Sequence, residues 1–292
     1  MAYKLKPGKE SVETGIRRIA SSEFARMAEV LADTDMLTAR RVHEVRKGAK
    51  RLRSMIRLVA PVFTEAKAEN EALRDAARKL SSARDMGAIL DSLGQLKLPE
   101  AIYSEAITAL EGNSERAEGG GNSDKLLKSF RKDIEAAGKR ALKWKLDAEG
   151  FDAIAPGLTQ TYRRLRRDYA TATSSREEEA THDWRKSAKT HWHQTLLIAQ
   201  ICPDALDAHA RMANRLSESL GKWRDDGLLL AALEALSAEQ VDKDIVKAVR
   251  RAAMRGQKRH LARAERVSAL LTAESPKAFA ARCKAYWEAA TR

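Results

Sequence analysis

Two segments of the chain carry the same cluster of ionisable side chains in the same order. Val42-His43-Glu44-Val45-Arg46-Lys47-Gly48-Ala49-Lys50 aligns with Thr181-His182-Asp183-Trp184-Arg185-Lys186-Ser187-Ala188-Lys189, so both copies read His-x-x-Arg-Lys-x-Ala-Lys. On a helix, steps of three and four return to one face, which places His43, Arg46, Lys50, Arg53 and Arg57 in a single stripe. His182, Arg185, Lys186, Lys189 and His193 form a second, weaker stripe. Like charges one turn apart repel by a few tenths of a kcal/mol per pair. Such a stripe is unfavourable unless an anion neutralises it, and writing it twice argues against an incidental solvated face. Arginine offers a forked contact and lysine a point charge to phosphate oxygens, and histidine adds a donor that titrates near neutral pH.

Further basic groups are candidates for the same groove. Arg17 and Arg18 precede the first block, and Arg163, Arg164, Arg166 and Arg167 precede the second at a similar distance. Lys47 and Arg51 lie beside the first stripe. The runs Lys125 to Lys132 and Arg250 to Arg259 read as solvated faces. A second pair of blocks, Arg84-Asp85-x-Gly87-x-Ile89-Leu90 and Arg224-Asp225-x-Gly227-x-Leu229-Leu230, follows the histidine blocks. An Arg-Asp step at a helix start followed by helically spaced apolar residues reads as scaffold: cap, ion pair and packing face.

The elements that must hold these groups are helical throughout. Apolar residues recur with a 3.6-residue period over about 11–32, 37–60, 64–80, 82–97, 99–111, 123–149, 157–173, 175–200, 204–220, 222–237, 241–272 and 275–290. No alternating strand pattern competes with them, and glycine (15) and proline (6) are scarce among 292 residues. The fold class is all-α. Residues 112–123, with Gly119-Gly120-Gly121, form the one break and read as a flexible connection. The two matched blocks on either side predict a duplicated unit: a first helical bundle over 11–111 and a second over 124–292, related by a pseudo-two-fold.

Composition narrows the partners. Lys and Arg number 54 against 41 acids, a net charge of +13, which speaks to polyanionic partners rather than to fold. Aromatic residues are only 5%, too few for the stacking platforms of a single-strand binder. A base-reading helix would interleave polar side chains with the cations, whereas these stripes are almost purely cationic, so a bare phosphate chain fits better than nucleic acid. His191 and His193 point about 200° apart on a helix and lack a third ligand, so no metal or other cofactor is expected. No phosphate-cradling glycine loop or nucleophile motif supports an enzyme. With no apolar leader, no membrane span and two unpaired cysteines, a soluble cytoplasmic protein is expected.

At these residues the chain resembles the CHAD family, the conserved-histidine α-helical domains, from about Val12 to Arg292. The resemblance implies one domain over 1–292, built of two antiparallel four-helix bundles around a basic groove that binds inorganic polyphosphate, often at polyphosphate granules. By position, His43, Arg46, Lys50, Arg51 and Arg53 match the first family motif, and His182, Arg185 and Lys189 the second. The second motif usually continues with basic residues and a tyrosine, where this chain has Thr190-His191-Trp192-His193. Nucleic-acid binding and an accessory role to a triphosphate-processing enzyme are the alternatives. Nothing in the chain resembles the β-barrel of the triphosphate tunnel enzymes.

Overall fold

Ser11 accepts a hydrogen bond from the Thr14 backbone N–H (3.1 Å) and so caps the first of a series of helices. A computed structural model describes residues 3–80, 85–117, 123–236 and 241–292, and these contain eleven α-helices and no strand. They are α1 (Val12–Ala32), α2 (Thr38–Val59), α3 (Ala66–Arg78), α4 (Asp85–Gln95), α5 (Glu100–Ala117) and α6 (Ser123–Ala141). They continue with α7 (Ala155–Ser175), α8 (Glu178–Ile198), α9 (Pro203–Glu234), α10 (Lys243–Leu271) and α11 (Pro276–Thr291).

Four helices, α1, α2, α3 and α6, pack pairwise around Ile16, Met27, Leu52, Met55, Leu73, Phe130 and Ile134. A second group, α7 to α10, closes around Leu165, Trp184, Ala188, Leu216 and Leu220. The α4–α5 hairpin leaves the first group and lies on α9 and α10 through Ile89, Leu93, Leu110, Leu229, Leu233 and Val249. The matched sequence blocks therefore touch each other, α2 against α8 and α4 against the later part of α9.

Three boundaries differ from the sequence reading. First, α6 packs with α1 and α3 rather than in the second bundle, because its apolar face (Leu127, Phe130, Ile134, Ala137) completes the first core. It also stops at Ala141 instead of 149. The chain then turns inward so that Trp144 packs on Phe63 at 5.2 Å, and Leu146 donates its N–H to Glu13 (2.8 Å). Second, residues expected as two helices around Gly221 form one 32-residue helix, α9. Gly221 has open space around it and no proline accompanies it, so about 1 kcal/mol of glycine penalty is readily outweighed by packing on both sides. Third, the expected connection 112–123 is helical to Ala117; its residues 118–122, like Arg84, lie outside the described residues.

The crossing that brings the two groups together depends on Gly157. It enters α7 beside Pro156 in the first turn, and a methyl group there would overlap the Leu58 carbonyl at the end of α2. Backbone cannot yield as a side chain can. Gly157→Ala is therefore expected to destabilise the fold by about 3 kcal/mol or more, read as a lowered midpoint in urea denaturation. An unchanged midpoint would mean that α2 and α7 are further apart.

Three histidines are sunk into the packing. His191 meets His209 through their Nε2 atoms (2.8 Å), with His209 stacked on Phe279, whose ring also lies on Tyr162 at 4.4 Å. His193 leaves α8 in another direction and meets Ser54 of α2 through Nδ1 (3.2 Å). Burial holds His191 well below its ordinary range, His193 at about 3 and His209 at about 4. The unfolded chain takes up these protons near pH 6.5 while the folded chain refuses them, so stability present above that pH is lost as pH falls toward the folded values. Each group withdraws up to about 1.4 kcal/mol per pH unit. Thermal midpoints should fall continuously between pH 6.5 and 4, and a flat profile there would contradict the buried neutral rings.

Candidate anion site

Where α2 passes α7 and α8, the facing side chains are short: Ser54, Ala60, Thr161, Ser187 and Thr190. They leave a cleft of about 710 Å³ whose walls are cationic. Lys50, Arg53 and Arg57 come from α2, Arg74 and Arg78 from α3, Arg164 from α7, and Arg185, Lys186 and Lys189 from α8. A smaller adjoining pocket of about 240 Å³ shares Lys50, Arg53, Arg74 and Arg78 and adds Arg46. No carboxylate lines either one among the described residues.

The polar groups of the walls are anchored. Arg46 donates to the Ala77 carbonyl (2.8 Å), Arg53 to Asn70 (3.1 Å) and Arg57 to the Thr190 hydroxyl (3.1 Å). Lys189 lies over the Trp192 ring at 4.1 Å, so the departure of this chain after Lys189 supplies an aromatic support for that lysine. The same departure places His191 and His193 in the core. Crowding leaves an electrostatic signature. Burial together with the charges of Arg53 and Arg164 pushes Arg57 down to about 10, and burial with Arg74 lowers Arg53. Guanidinium groups from three helices thus repel one another across the cleft.

Eight of the residues singled out from the sequence line these two pockets: Arg46, Lys50, Arg53, Arg57, Arg164, Arg185, Lys186 and Lys189. Others are placed elsewhere, each for a physical reason. Arg17 is held by Glu13 and the Trp144 carbonyl, and Arg18 by Glu10 (2.6 Å) and the Lys4 carbonyl (2.9 Å), so both tie down chain segments beside α1. Lys47 faces Glu44 (3.7 Å) and Arg51 faces buried Glu23 (3.2 Å), on the side of α2 that packs on α1. Arg167 pairs with Asp168 (3.2 Å), while Arg163 and Arg166 of α7 do not line the cleft. His43 is exposed and His182 half-buried, and neither lines the pockets. Burial, Arg185, Lys186 and Arg224 hold His182 at about 4. It is neutral at physiological pH, which corrects the expectation of a charge adjustable near neutrality.

Arg74 and Arg78 were not singled out from the sequence. One turn apart on α3 and next to Asp75, which pairs with Arg74 (2.9 Å), they carry the pattern of any solvated helix. Only the fold turns them toward α2. Arg224 pairs with Asp225 (3.6 Å) and the following Asp226 accepts from Ser92 of α4 (2.7 Å), so this block joins α4 to α9.

Residues 20–234 match the family described as CHAD domain. The chain belongs to the CHAD family. Its architecture is similar to the crystal structure of the CHAD domain from the plant Ricinus communis, with a TM-score of 0.65 at 16% identity, covering 94% of this chain and 96% of that one. At that identity the likeness speaks for the fold alone. No curated protein matches the chain. Within this CHAD domain no helix among the described residues is long and apolar enough to cross a membrane.

Proposed function

We propose that this CHAD domain binds inorganic polyphosphate in the cleft between α2, α3, α7 and α8, without catalysis, and through that affinity associates with polyphosphate granules. One observation carries the reading: nine Lys and Arg side chains converge on one cleft that no described carboxylate lines. Arg74, Arg164 and Lys186 are paired with Asp75, Asp168 and Asp183, whereas Arg53 and Arg57 carry a like-charge cost that a row of phosphates relieves. The donors are forked guanidinium groups and hydroxyls anchored to backbone and neighbouring side chains, an arrangement that orients charge before the ligand arrives. The lining includes no acid to serve as base or to hold a catalytic metal. Long clefts of cations suit a thin linear chain with a charge on every unit better than a broad duplex.

A titration with polyphosphate of defined lengths at two ionic strengths tests this. Affinity should rise with chain length until the cleft is filled, and log K should fall with log salt by roughly 0.7 for each phosphate neutralised, the value for a single-stranded polyanion. Displacement of bound polyphosphate by duplex DNA at equal charge concentration would overturn the assignment.

A further inference from the structure

The exposed face of α10 is a second cationic surface that the cleft does not use. At about 100° per residue, Lys247, Arg251, Arg255, Lys258, Arg259 and Arg266 share an outward arc about 120° wide. All six are exposed, while the opposite face buries Val249, Ala253, Gly256, Ala264 and Leu271 against the rest of the fold. From Lys247 to Arg266 the row spans about 29 Å at 1.5 Å per residue. Among the described residues none of the six is in an ion pair. The groups of α10 that are paired are Arg250 with Glu234 (2.9 Å), Glu265 with Arg176, and His260 with Asp226 (3.7 Å). Glu265 is thereby taken up by Arg176, just past the end of α7, and Asp244 at the first turn is the remaining acid of the helix. No residue of α10 lines the cleft.

We propose that this face docks on the phosphate backbone of duplex nucleic acid without reading its sequence, so that the protein holds a duplex and a polyphosphate chain at separate surfaces. Shape selects the duplex. A convex helix face gives a thin chain one line of contact and leaves the remaining cations unneutralised. A duplex carries one charge per about 1.7 Å of its axis, and its major groove, about 12 Å wide, receives a helix between two phosphate rows. Lys247 and Lys258 then face one row and Arg259 and Arg266 the other. The arc has no Asn or Gln to read base edges, so binding is independent of sequence. A lipid surface is disfavoured because Met254 and Leu270 at the edges of the arc are unaccompanied by the Trp and Phe anchors of an interfacial helix. The inference does not depend on what occupies the cleft.

The test uses the full chain, a mixed-sequence 20-base-pair duplex, labelled long-chain polyphosphate and phosphatidylserine vesicles. Wild-type duplex affinity should fall by about a thousandfold between 50 and 200 mM salt. The variant Arg251→Gln, Arg255→Gln, Lys258→Gln, Arg259→Gln should keep its melting temperature and its polyphosphate affinity. It should lose most duplex binding, and its salt slope should drop by about 3 to 4. Wild type should hold duplex and polyphosphate together in one complex. Unchanged duplex binding in this variant overturns the proposal. So does loss of duplex binding on charge reversal in the cleft, or an effect of the α10 substitutions confined to polyphosphate or to vesicles.

Discussion

Reversing four cleft charges, Arg46→Glu, Lys50→Glu, Arg185→Glu and Lys189→Glu, should lower the affinity for long-chain polyphosphate by about four orders of magnitude. The figure follows from roughly 1.5 kcal/mol for each charge-assisted contact and about 1.4 kcal/mol per decade of affinity. The four come from α2 and α8, the two helices that carry the repeated motif, and together they line both pockets. The variant should remain folded. Arg53 and Arg57 stand among the replaced groups and are crowded by like charge. New carboxylates there relieve repulsion while the Arg46 bond to the Ala77 carbonyl and the Lys189 contact with Trp192 are given up, so the ligand-free melting temperature should stay close to the wild-type value. This pairing of outcomes separates a binding role from a structural one. A folded variant with undiminished affinity would place the polyanion elsewhere, and an unfolded one would mark these cations as scaffold.

How much of this was legible in the sequence can be judged residue by residue. The stripe on α2 was, because spacing on one helix is a local property. Arg46, Lys50, Arg53 and Arg57 are neighbours whatever the helix packs against. The width of the stripe was not. Lys47 and Arg51 are equally basic, but Lys47 faces Glu44 one turn earlier on α2, and Arg51 faces Glu23, which α1 places beside it and which no local pattern on α2 announces. Arg74 and Arg78 were missed for the converse reason, since an ordinary pair on α3 becomes a wall only by tertiary placement. The motif histidines illustrate a third limit. Residue type suggested a titrating donor, yet burial, and after it the cations around His182, drive its proton away. The all-α class followed from periodicity, while α6 was assigned to the wrong bundle because chain order says nothing about which core an apolar face completes.

Arg57 is where stability and binding should trade against each other. Its guanidinium is largely buried at the end of α2, hydrogen-bonded to Thr190 and held down to about 10 by burial and by Arg53 and Arg164. Its folded value lies below the ordinary one. The charged form is therefore the form the fold disfavours, and the cost is fully present at neutral pH and relieved only as pH rises through about 10. At 1.36 kcal/mol per pKa unit, a value of about 10 in place of 12.5 costs about 3 kcal/mol. Arg57→Met keeps the length and apolar stem, removes the charge and gives up one hydrogen bond worth about 1 kcal/mol. The ligand-free protein should gain roughly 2 kcal/mol, seen as a higher melting temperature at pH 7, with the gain shrinking above pH 10 as the wild type sheds its own penalty. The same substitution should weaken polyphosphate binding by about tenfold, since one charge-assisted phosphate contact is lost. A row of phosphates would therefore stabilise the wild type more than the variant, and the two melting curves should converge as polyphosphate is added. A variant no more stable than wild type without ligand, or one that binds as tightly, would show that Arg57 bears no electrostatic load and that the cleft is not held ready for an anion.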